Sequence, residues 1–191
     1  MKKGRLEAFS DGVMAIILTI MVLELKVPEG TEWKDLLALT PKFISYVLSF
    51  MMILIYWNNH HHMFQTMEKV NGKILMANGS MLFFLSLIPF ATAWMGEHNF
   101  ESKPVIFQGI IFFFSGISSL FLTKQIIAAH DHDSILAKAL ENNHKFTISW
   151  VGYLIAIGVG FFAPKISAII YFLVAMMWLI PDKEIERLID K

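Results

Sequence analysis

Apolar residues in this chain come in long unbroken runs separated by short polar stretches, not in the alternation of a half-buried strand. Six runs predict helices at about 6–27, 42–64, 74–96, 104–128, 146–163 and 165–180. The first would reach about 33 Å at 1.5 Å per residue, enough to cross the hydrocarbon core of a bilayer. It is also the least ordinary, because RLEAFSDGVMAIILTIMVLELKV carries Arg5, Ser10 and Asp11 before it turns continuously apolar. An ionisable side chain at the membrane edge is costly, so Asp11 needs a polar partner and marks a candidate functional site. Pro89 predicts a kink in the third run. Ala163-Pro164-Lys165 leaves room only for a tight hairpin between the last two. Between the first two runs, Trp33, Leu36 and Leu37 share a helical face and predict a short interfacial helix on the outer side. Near the C-terminus, Ile185, Leu188 and Ile189 predict an amphipathic helix at the inner surface.

On a wheel of 100° per residue, Arg5, Phe9, Gly12, Ile16, Thr19, Ile20, Leu23 and Val27 fall on one stripe in steps of four and three. Asp11 and Met14 point elsewhere, nearly opposite. Such spacing suits a seam packed against other helices. The seam can lie inside one subunit, which is the commoner outcome for this spacing. It can instead face a symmetry axis, where Ile16, Ile20 and Leu23 would stack as apolar rings and Asp11 would face a neighbouring helix.

Composition narrows the class. Hydrophobic residues make up 55% of the chain and charged ones 17%, and the mean hydropathy is +0.55. That is too apolar for a soluble domain and predicts an all-α, multi-pass membrane protein, one domain over 1–191. The formal net charge is zero, so there is no basic footprint for nucleic acid. The chain has no Cys, which removes disulfides and thiolate metal ligands. MKKGRLEAFSDG resembles the charged start of a signal peptide, but no small-residue cleavage site follows, so the first run is expected to be retained. With the N-terminus inside, eleven Lys and Arg fall in the inner segments and five in the outer ones, which predicts both termini in the cytoplasm.

That orientation brings the inner end of the first run beside Asn58, Asn59, His60, His61 and His62 at the inner end of the second. A polar lock around Asp11 is the expected result. His60, His61 and His62, with His130, His132 and His144 on the same side, could instead hold a transition metal, the basis for an alternative reading as a metal-ion or small-cation transporter. Against it, three consecutive His point three ways on a helix, and the halves 1–96 and 97–191 show no inverted repeat. A purely structural membrane scaffold is the other rival. The motifs Gly-x-Ser-x-Gly, Walker A and His-Glu-x-x-His are absent, and Asp11 and Glu24 sit near opposite faces, so neither an enzyme nor a bound cofactor is expected. Thr-Val-Gly-Tyr-Gly, the carbonyl-lined potassium filter, is absent as well.

The run Arg5-x-x-x-Phe9-Ser10-Asp11 at the start of the first helix, with Trp57-x-x-His60 ending the second, resembles the signature of the transmembrane protein 175 family of potassium channels. The resemblance covers the whole chain. It implies a bacterial homotetramer of six-helix subunits in the cell membrane, with the first span lining a central pore and no re-entrant filter loop. K⁺, with other monovalent cations, would be the permeant ion. By the same resemblance Ile16 is the constricting residue, Ile20 and Leu23 continue the rings, and Thr19 serves selectivity. Arg5, Phe9, Ser10, Asp11, Trp57 and His60 would pack and hydrogen-bond between helices. Stacked apolar rings can gate by dewetting, conducting only when wide enough to stay wet.

Overall fold

A computed structural model describes residues 2–130 and 144–179. The predicted helix at the C-terminus and His132 lie outside the described residues, as does the side chain of His130. The described residues form helices only: α1 (Lys3–Leu23), α2 (Trp33–Leu37), α3 (Thr40–Gln65), α4 (Gly72–Ser86), α5 (Ile88–Glu97), α6 (Ser102–His130), α7 (Lys145–Gly160) and α8 (Pro164–Leu179). Four segments are long and apolar enough to cross a membrane: α1, α3, α4 with α5, and α6. α7 and α8 have 16 residues each, about 24 Å of helix.

Where the boundaries differ from expectation, the chain shows why. α1 begins at Lys3 and stops at Leu23, not at residue 27. Val27 precedes Pro28, whose ring disfavours helical backbone in the residue before it. The chain instead turns through Leu25 N–H to Val22 O and Lys26 N–H to Glu24 O. Val27 therefore leaves the stripe. In the third span the proline ends one helix and starts another. Pro89 cannot donate to the Leu85 carbonyl, and α4 and α5 meet at Leu87. The last hairpin is joined by Phe161-Phe162-Ala163, with Pro164 opening α8, where a missing N–H costs nothing. α2 carries the expected Trp33, Leu36 and Leu37 exposed, capped reciprocally by Glu32 and Asp35.

α3 packs against α1, α5 and α8, while α6 packs against α4, α5 and α7. The core between them is rich in Met and aromatic side chains: Met14, Met52, Met81, Met95, Phe64, Phe112 and Tyr171 are fully buried. Two internal hydrogen bonds fix the layers. The hydroxyls of Thr92 (α5) and Ser49 (α3) are hydrogen-bonded at 2.6 Å, and Tyr171 Oη of α8 donates to the Val105 carbonyl of α6 at 3.2 Å. Tyr171 can lie against α6 because Gly109 has no side chain; a Cβ there would fall on the phenol ring. Gly109→Ala is therefore expected to push Tyr171 off its Val105 bond and lower stability by about 1–2 kcal/mol. Thermal denaturation of the purified protein in detergent measures this, and a parental melting temperature would refute it.

Candidate functional site

The stripe of α1 is exposed in the single chain. Phe9 is 62% exposed, Ile16 58%, Ile20 42% and Leu23 77%. Arg5, Gly12 and Thr19 are exposed with them. The opposite face supplies the core: Leu6, Ser10, Met14, Ile17 and Met21 are buried, Met14 to 1% and Ile17 to 4%. A seam inside one subunit, the commoner outcome for this spacing, is thus excluded. Thr19 Oγ1 donates to the Ile16 carbonyl at 2.8 Å, which holds the hydroxyl against its own helix one turn from Ile16.

Behind the stripe, polar groups join α1 to α3 and α4. Asp11 finds a partner on α3, but the partner is Trp57, whose Nε1–H donates to Asp11 Oδ1 at 3.1 Å. The expected Asn58 and Asn59 do not make this contact: Asn58 is exposed and Asn59 faces a cavity between α3, α6, α7 and α8. His60 is fully buried and turns toward α4, where its Nε2 lies 2.9 Å from Asn78 Oδ1. Asn78 Nδ2 in turn donates to Ser10 Oγ at 3.0 Å, and Ser10 donates to the Leu6 carbonyl at 2.9 Å. Three helices are thereby linked through one buried chain of hydrogen bonds, Ser10–Asn78–His60. Sequence reasoning missed Asn78, although an Asn inside the apolar run ILMANGSMLFF is itself a signal that a buried partner exists.

The three consecutive His do part company. His60 stacks on Phe64 with ring centroids 3.9 Å apart. His61 Nδ1 lies 3.7 Å from Glu7 Oε1 of α1, and its ring stacks on Trp57 at 6.0 Å. His62 keeps its Nδ1 buried without a hydrogen-bond partner. Among the described residues no three His, Cys, Asp or Glu side chains come together as a metal site would require. At the N-terminal end Lys3 Nζ donates to the Gln65 carbonyl at 3.3 Å, a further tie between α1 and the end of α3. At the other end of the spans Lys42 and Lys26 approach Glu97 at 3.3 and 3.9 Å, while Glu24 stands exposed just past α1.

One flank of the stripe borders an apolar groove of about 440 Å³. Val13, Ile16, Ile17 and Ile20 form its α1 wall, Ser86, Pro89, Phe90 and Ala93 its wall on the third span, and Glu24, just past α1, also lines it.

A family model described as endosomal/lysosomal potassium channel TMEM175 matches residues 5–89, the stretch that contains the stripe and the hydrogen-bonded chain behind it. A potassium channel of Chryseobacterium sp. (strain P1-3) is 52% identical over 187 residues, covering 98% of this chain and 97% of the relative. A potassium channel of Chamaesiphon minutus (strain ATCC 27169 / PCC 6605) is 29% identical, over 91% of each chain. Among solved structures, the crystal structure of a lysosomal potassium-selective channel TMEM175 homolog from Chamaesiphon minutus matches with a TM-score of 0.77 at 29% identity, covering 93% of this chain and 96% of that one.

Proposed function

The chain belongs to the transmembrane protein 175 family, and from that membership we propose that it is a potassium channel of the membrane in which four subunits surround a pore lined by α1. The observation that carries this reading is the exposed stripe. Phe9, Ile16, Ile20 and Leu23 stand clear of their own subunit while Leu6, Ser10, Met14, Ile17 and Met21 anchor α1 behind them. In a fourfold ring Ile16, Ile20 and Leu23 form stacked apolar constrictions, and permeation is controlled by whether the gap between them is wet. Thr19 lies between the Ile16 and Ile20 rings, where a hydroxyl ring can favour one monovalent cation over another. No re-entrant filter loop is needed.

In this reading each subunit crosses the membrane six times, with α7 and α8 as a short pair at the periphery and both termini in the cytoplasm. An even number of spans and the excess of Lys and Arg on the N-terminal side support that orientation. The hydrogen bonds of Ser10, Asp11, Trp57, His60 and Asn78 hold α1 in place and touch no ion.

Recording from purified protein in a planar bilayer under a K⁺/Na⁺ gradient tests the function. Unitary current steps that reverse near the potassium equilibrium potential are expected. Slow flux without current steps would overturn the channel reading in favour of a transporter.

A further inference from the structure

The outward faces of this subunit are not alike. α7 and α8 present Ile148, Val151, Leu154 on one helix and Ile166, Ile169, Phe172 on the other, as a lipid-facing surface should. α1 and α3 present apolar residues interrupted by exposed Arg5, Thr19 and Asn58. In the reading above the exposed stripe faces the pore, so the surfaces that flank it face neighbouring protein. Two apolar surfaces flank the stripe here. One is the groove between α1 and the third span. The other is the outward face of α3, where Val47, Phe50 and Leu54 are exposed at steps of three and four.

Copies inserted the same way round are related by rotation about the membrane normal, so a closed ring must join one face to a different face, level with level. The contacts inside one subunit give the levels. Lys42 meets Glu97, Ser49 meets Thr92 and His60 meets Asn78, so α3 and the third span run antiparallel in a fixed register. On that register Val47 stands level with Ala93, Phe50 with Phe90 and Leu54 with Ser86. The three groove residues have the same steps, three then four, read in the opposite direction. The groove and the α3 face are complementary in both depth and spacing.

We infer that a second copy of the chain fills the groove, its Val47, Phe50 and Leu54 packing against Ala93, Phe90 and Ser86 of the first. The contact is head-to-tail, so repetition closes a ring with every α1 stripe turned inward. It rests on the oligomeric reading above and goes beyond it by naming the two faces. The seal it makes also closes the gap between neighbouring α1 helices, since Ile16 and Ile20 form both the groove wall and the rings.

The chain has no native Cys, which makes the test direct. Leu54→Cys with Ser86→Cys, oxidised by copper phenanthroline in membranes, is expected to give a ladder of covalent dimers, trimers and tetramers on a denaturing gel. Each single variant, and Leu154→Cys with Ser86→Cys, should stay monomeric. Should the first pair not yield folded protein, Val47→Cys with Ala93→Cys takes its place at the next level. No ladder from a protein that elutes as an oligomer would overturn the inference, as would an equal ladder from a single variant or from the Leu154 pair. The two readings fail separately: a ladder without conduction removes the channel and leaves the interface, and conduction without a ladder does the reverse.

Discussion

Ile16→Asn is expected to raise unitary conductance by a factor of several and to bring the permeabilities of K⁺ and Na⁺ together. Ile16→Ala should do the same more weakly. A ring of four alkyl side chains repels water from a narrow gap, whereas a ring of amides holds it. The subunit itself should be nearly indifferent to either change. Ile16 is 58% exposed in the single chain, so truncating it removes little packing, and a loss within about 0.5 kcal/mol is expected within the subunit. Met14, two residues earlier and 1% exposed, is the control. Met14→Ala opens a cavity and should cost about 2–5 kcal/mol, with selectivity unchanged where the protein still assembles. Cys at positions 16 and 20 should react with small water-soluble thiol reagents and block current, and Cys at position 14 should not. If Ile16→Asn conducts like the parent and Cys at 16 is unreactive, α1 does not line the pore.

The phase of α1 was legible because its two kinds of residue are segregated: the 4-3 stripe of Phe9, Ile16 and Leu23 lies away from Met14 and Ser10 on any helical wheel. Whether that stripe packs inside the subunit was not legible, since a seam and a pore wall share one spacing, and only the exposure of Ile16 and Leu23 separates them. Residue spacing did not single out Trp57 as the partner of Asp11, for a related reason. Trp57, Asn58 and Asn59 differ by 100° steps, and nothing in the sequence anchors the phase of α3. The structure anchors it through Ser49 and His60, which face α5 and α4, leaving Trp57 toward α1. The kink at Pro89 could be read because its cause is local. The end of α1 was read four residues late because the apolar pattern continues past Leu23 although Pro28 already redirects the backbone.

Asn78→Leu is expected to lower stability by about 2–4 kcal/mol, because each buried polar group it orphans costs roughly 1–3 kcal/mol. Leu has as many side-chain heavy atoms as Asn, so the loss does not report a cavity. His60 would lose the one side-chain partner of its Nε2, while its Nδ1 is already without one. Ser10 would suffer less, since it keeps the Leu6 carbonyl as acceptor. Ser10→Ala, which leaves the buried Asn78 Nδ2 without its acceptor, should cost about 1–3 kcal/mol. The decisive comparison is the double variant Asn78→Leu with His60→Leu. Replacing both partners by apolar groups removes the orphan, so the double variant should be more stable than Asn78→Leu alone. Melting in detergent of Asn78→Leu, Ser10→Ala, His60→Leu and the double variant, followed by the fraction that remains oligomeric, gives all four values. A double variant that simply adds the two single losses would mean that His60 and Asn78 do not act as a pair.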